Sequence, residues 1–184
     1  MTSTFPLARS GKPGYDCSEV DDFLDNARRA FALPAGHDES LSSQQIRHTG
    51  FRVVRKNGYS ARHVDAALER LEEAFAARER EHAIGEQGTD AYYAGVRATA
   101  QEILDRLARP AGKRFTRVSP FTRGYHPADV DAFSKLVSQY FEKGRPLAIE
   151  TVRTIAFRPK YGGYRELQVD VLLDTVIDLM LAVR

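Results

Sequence analysis

The sequence predicts an all-α fold made of tandem short loop–helix repeats, paired two by two and joined by a connecting helix. Three observations predict it. Gly-Tyr, four residues, then Val-Asp occurs four times: Gly14-Tyr15…Val20-Asp21, Gly58-Tyr59…Val64-Asp65, Gly124-Tyr125…Val130-Asp131 and Gly163-Tyr164…Val169-Asp170. An apolar stripe at helical spacing follows each copy. The motif glycines lie 44, 66 and 39 residues apart, a short–long–short rhythm that implies two pairs with an insert. A Phe precedes each copy, at 5, 51, 115 and 157.

Each Gly-Tyr reads as a loop-to-helix junction, with Gly supplying a backbone bend. The residue after Tyr is the expected N-cap. Asp16 has Glu19 three residues later, a capping-box spacing. Ser60 is a favoured cap, and His126 precedes Pro127, which suits the first helical position. Arg165 is a poor cap, but Gln168 keeps the box acceptor. On this register Tyr and Val occupy the two ends of a hydrophobic staple. The motif Asp falls in the early helix, where negative charge suits the dipole.

The stripes run Val20, Phe23/Leu24, Ala27, Ala30/Phe31; Val64, Ala67/Leu68, Leu71, Ala74/Phe75; Val130, Phe133, Val137, Tyr140/Phe141; and Val169, Leu172/Leu173, Val176, Leu179/Met180. About three turns each, they are marginal as isolated helices and must pack on one another. The fourth adds Val171, Ile177, Leu181 and Val183, and is expected to be the most buried. Between the pairs, Thr89 or Asp90 caps a further helix with the stripe Tyr92, Val96, Ala100, Ile103, Leu107, stopped by Pro110-Ala111-Gly112. The expected organisation is a first repeat pair over 1–84, a connecting helix over 85–110 and a second pair over 111–184.

Net charge is +2, which hides a segregation. The pre-helix windows 5–13, 46–57, 113–123 and 151–162 hold thirteen Lys and Arg and no acid, while the remainder is strongly acidic. Such loops suit an anionic lipid surface or another polyanion. Alternatively, the arginines pair with Asp21, Asp65, Asp131 and Asp170 inside the fold. A single cysteine, Cys17, fits a reducing compartment. Its place in a first helical turn is expected to lower its pKa somewhat. Asp174 and Asp178 interrupt the most apolar stretch, so neither a leader nor a membrane span is expected. The five histidines (37, 48, 63, 82, 126) form no metal-ligand spacing, and no phosphate loop, nucleophile elbow or dinucleotide fingerprint occurs. No catalytic residue, metal or cofactor is expected, and no small-molecule substrate.

The four motifs, with the shared entries Ile46-Arg47-x-x-x-Phe51-Arg52 and Val152-Arg153-x-x-x-Phe157-Arg158, resemble the DivIVA domain of actinobacterial-type cell-division and polar-growth proteins. The resemblance covers most of the chain. It implies a non-enzymatic scaffold or adaptor in the cytoplasm, peripheral to the inner membrane at septum or pole. Its partners would be division or cell-wall proteins and anionic lipid headgroups, with self-association open. The family forms a parallel dimer of short coiled-coil helices with crossed loops, whose tips touch membrane through an aromatic beside an Arg. The family's long second coiled coil is missing, so each repeat pair would mimic the dimer within one chain. Carried over position by position, the membrane-contact candidates are Phe121, Arg123 and Arg117; Val54 and Arg55; and Tyr161 and Lys160. Phe121 is expected to be exposed and Phe115 to plug the core. The alternative function is nucleic-acid binding through the same basic loops.

Overall fold

The computed structural model describes residues 4–34 and 41–184 and is mainly α-helical, 61% of it helix. Seven helices appear among the described residues: α1 (Cys17–Ala32), α2 (Ser43–Arg47), α3 (Ala61–Gln87), α4 (Thr89–Leu107), α5 (Pro127–Lys143), α6 (Ile149–Thr154) and α7 (Glu166–Ala182). Four of them, α1, α3, α5 and α7, begin two residues after a motif tyrosine. Asp16 caps α1, its Oδ1 accepting from the backbone N–H groups of Ser18 and Glu19 at 3.1 and 3.3 Å. Pro127 opens α5 after His126, and Gly144 closes it in the left-handed region.

The chain divides into two compact units, Met1–Gly88 and Thr89–Arg184. Helix α4, set apart as a connector by the sequence, packs on α5 and α7 and belongs to the second unit. In the same way α2 packs on α3 and α6 on α7. These two short helices were not anticipated. Helix α3 also exceeds three turns, because its register continues through Gly85 until Gly88 turns to a φ of 86°.

Strict all-α character gives way in the loops. In the first unit β1 (Gly14–Tyr15) pairs antiparallel with β2 (Val53–Val54); in the second, β3 (Arg123–Tyr125) pairs with β4 (Pro159–Tyr161). The reason is a reciprocal crossing of pre-helix loops, which satisfies their backbone groups. Tyr15 N–H donates to Tyr59 O and Tyr59 N–H to Tyr15 O, at 2.9 and 2.8 Å; Tyr125 and Tyr164 exchange the same two bonds at the same distances. The cap residues repeat the rule. Asp16, Ser60, His126 and Arg165 donate their N–H to the carbonyls of Arg52, Pro6, Arg158 and Thr116. Each acceptor directly follows the Phe of the other repeat.

The motif residues therefore serve their neighbour rather than themselves. None of the four motif glycines has a positive φ. They are required because two backbones touch: a Cβ on Gly163 would lie 2.5 Å from Tyr125 O and 2.6 Å from Gly124 C. The tyrosines do more than pack against the valine cluster. Tyr59 and Tyr164 donate their hydroxyls to Asp21 and Asp131, and Tyr15 and Tyr125 hydrogen-bond Asp65 and Asp170. Each motif Asp is thus the acceptor for the other repeat's Tyr. Each upstream Phe stacks edge-on or tilted against that same ring: Phe5 on Tyr59, Phe51 on Tyr15, Phe115 on Tyr164, Phe157 on Tyr125, at 5.2–5.6 Å.

The capping-box acceptors also reach across. Glu19 accepts from Arg52 N–H, Asp129 from Arg158 N–H and Gln168 from Thr116 N–H. At the fourth position, His63, the residue that corresponds to those donors is Pro6, which has no N–H to give, and His63 hydrogen-bonds Ser60 instead.

The four motif valines are fully buried. Val20, Val64 and Tyr59 form one cluster, edged by Phe5, Tyr15, Cys17, Leu24, Phe51 and Leu68. Helix α7 carries seven buried residues, yet Leu167, Val171 and Val183 stand exposed, so it is not covered all round. Leu173 is half-buried and its neighbour Leu172 holds the core position.

Candidate functional site

Several basic residues of the four loops pair with carboxylates, Arg52 and Arg158 at the surface and Arg47, Arg114 and Arg153 largely covered. Arg52 pairs with Asp16 at 2.6 Å and Glu19 at 3.5 Å, and Arg158 with Asp129 at 2.5 Å. Arg114 pairs with Asp131, Arg47 with Glu72, and Arg153 with Glu150. Internal pairing thus exists, but mostly with different acids from those expected. Asp65 and Asp170 are engaged by tyrosines. Arg52 holds Asp16 below its ordinary pKa, and Arg158 holds Asp129 down at about 2. These contacts also neutralise cations that would otherwise sit beside helix N-termini.

The remaining loop cations have no carboxylate partner among the described residues: Arg9, Lys12, Arg55 and Lys56 in the first unit, Lys113, Arg117, Arg123 and Lys160 in the second. In the second unit Arg123 and Lys160 flank an apolar tip on the paired strands β3 and β4. Phe121 is 90% exposed and Tyr161 58% exposed. Strand pairing sets Arg123 opposite Tyr161, with its guanidinium 5.2 Å above the ring. Thr122 O accepts from Gly162 N–H at 3.0 Å, which ties the Phe121 turn to the tip of the neighbouring hairpin arm. Arg117 lies over the Tyr164 ring at 5.7 Å. The sequence candidates Phe121, Arg123, Tyr161 and Lys160 therefore come together, with Arg117 at their base. Phe115 is buried against Tyr164.

The first unit differs. Val54 is half-buried, its side chain lying over Gly58, so it is not an apolar tip. Alternation along β2 instead exposes Val53, at 62%, and Leu7 stands 50% exposed at the opposite side of the crossing, where it bridges to Tyr59. Neither residue is singled out by the motif alignment. Strand alternation is the signal that would have found Val53, but a two-residue strand is too short to read. Arg55 is exposed as expected.

Cys17 reverses its expectation. Its thiol donates to Asn57 O at 3.2 Å, and burial pushes its pKa up. His37 lies outside the described residues. No group of three residues able to hold a metal ion occurs among the described residues, and no described helix is long and apolar enough to cross a membrane.

No protein-family model, curated protein or solved structure matches the chain.

Proposed function

We propose that the chain is a non-enzymatic scaffold of the DivIVA kind, peripheral to an anionic membrane surface and linked to cell division or polar growth. In this reading each unit is a repeat pair that stands in one chain for a parallel helix dimer. The reciprocal backbone exchange between Tyr15 and Tyr59, and between Tyr125 and Tyr164, supports that pairing. The lipid reading rests on one observation above all: the second unit's tip exposes Phe121 and Tyr161, with Arg123 over the Tyr161 ring and Lys160 beside it in β4, two cations with no carboxylate partner among the described residues. An exposed ring flanked by guanidinium and ammonium groups can enter the headgroup layer while the cations meet phosphate. Each such cation contributes on the order of 1 kcal/mol near an anionic surface. Nucleic-acid binding would use the same cations, whereas a protruding Phe121 gains most from entering an apolar layer.

Flotation with phosphatidylglycerol vesicles tests the reading, with phosphatidylcholine vesicles and duplex DNA as parallel arms. Salt-sensitive binding to anionic vesicles, lost in Phe121→Ala and weakened in Arg123→Ala, is the expected result. DNA binding without vesicle binding would favour the polyanion alternative. Because Phe121 and Arg123 are both exposed, both variants should retain the parent's melting temperature, so lost binding would not reflect unfolding.

A further inference from the structure

The two units are built alike at their crossed loops, but one position is answered in only one of them. In the second unit Asp131 is fully supplied. It accepts from the Tyr164 hydroxyl, from Gly112 N–H at 2.7 Å, and from the Arg114 guanidinium. Arg114 is itself anchored, donating Nε–H to Leu107 O and Arg109 O at the end of α4. The counterpart of Asp131 in the first unit is Asp21. It accepts from the Tyr59 hydroxyl on Oδ2, while Oδ1 is buried with no hydrogen-bond partner. An orphaned buried carboxylate oxygen is costly, which makes it a demand for a donor.

The position that should supply the donor is Thr4, which precedes Phe5 as Arg114 precedes Phe115. Its backbone keeps the shared contact, Thr4 N–H to Tyr59 O–H, as Arg114 N–H does to Tyr164. Its side chain is too short to reproduce the guanidinium. In its place lies a polar cavity of about 270 Å³, lined by Thr4, Asp21, Leu24, Asp25 and Arg28. Arg28 does not fill the role: its guanidinium is held by Asp25 at 2.8 Å and is largely exposed. Leu24 is half-buried here, whereas its counterpart Ser134 is buried in the unit where α4 packs on α5.

We propose that this cavity is a recognition site for an arginine side chain presented by a partner polypeptide at the end of a helix, in the manner of α4 and Arg114. The planar guanidinium suits the site because it can donate to Asp21 and to a helix-terminal carbonyl at once.

The test uses isotope-labelled full-length protein titrated with three probes: a peptide copying residues 99–116, the same peptide with its arginine at position 114 changed to alanine, and N-acetylarginine amide. The arginine peptide should shift the amide signals of Asp21, Leu24 and Asp25. Its alanine version should bind about tenfold more weakly, the loss expected for a charge-assisted hydrogen bond. N-acetylarginine amide should perturb the same residues at higher concentration. Asp21→Asn should remove all of these responses. Thr4→Arg, which places a guanidinium in the cavity from within, should raise the melting temperature and block the peptide. Guanidinium probes that leave the α1 amides unmoved would overturn the proposal. So would responses unchanged in Asp21→Asn, or a Thr4→Arg variant with neither effect.

Discussion

The hydroxyl of Tyr59 donates to Asp21 Oδ2 at 3.0 Å across 38 residues of chain. This one bond explains why Tyr and Asp travel together in the motif although they never serve the same repeat. It also distinguishes the two units, because Asp21 has no other donor among the described residues while Asp131 keeps Arg114 and Gly112. Tyr59→Phe should therefore cost about 2–3 kcal/mol and Tyr164→Phe about 1 kcal/mol. Urea denaturation of the two variants checks the order; equal losses would contradict it.

Close backbone crossing makes a sharp prediction for glycine. Gly163→Ala should destabilise on the order of 3 kcal/mol, because the new methyl meets Tyr125 O and Gly124. Gly95→Ala meets nothing within 4 Å inside α4 and should stabilise by about 0.5–1 kcal/mol. Thermal melts of both variants report the signs directly.

Two titrations test the loop contacts from opposite ends of the pH scale. Burial, with the hydrogen bond to Asp170 behind it, pushes Tyr125 up to about 12. A raised folded pKa favours the protonated form, so this contribution is present below pH 10 and is lost as pH rises towards 12. Asp129 is held at about 2 by Arg158, so its contribution is present above pH 4 and is lost as pH falls through 2. Arg158→Ala should move the Asp129 carboxyl signal back towards its ordinary range in an NMR titration, leaving Tyr125 where it is.

In α7 the adjacent leucines part company. Leu172→Ala should cost about 2–5 kcal/mol as a core truncation, and Leu173→Ala distinctly less, because Leu173 is only half-buried. Chemical denaturation separates them; a larger loss at Leu173 would mean that the helix faces the core differently.

The helices were legible because their signals are local. Gly-Tyr marks each start, Asp16 and Pro127 cap or open their helices as read, and the apolar stripe places Val20, Val64, Val130 and Val169 in the core. The loop strands were not legible, since a two-residue strand has no periodicity and its partner lies tens of residues away. For the same reason Glu19 looked like a box acceptor when it answers Arg52 of the other repeat, and Tyr15, which packs against the cluster of Val20, Tyr59 and Val64, gave no sign that it also hydrogen-bonds Asp65. At the candidate site, Phe121 could be read as exposed because its position has no counterpart in the first repeat. Val54 was misplaced because only the crossing with Gly58 decides which of two valines turns outward.

The crossed loops of each unit belong to one continuous chain, and this changes what dilution can do. Two separate subunits exchanging the bonds of Tyr15 and Tyr59 would come apart as their concentration falls; here the partner is always at hand. Covalent union also frees each half to drift alone. Pro6 can stand on one arm of the first crossing where Arg52 stands on the other, without the change being forced on both. A symmetric assembly must accept every substitution twice. This chain needs to accept it only once, which is how Phe121 can protrude from one arm of its crossing without a second copy on the other.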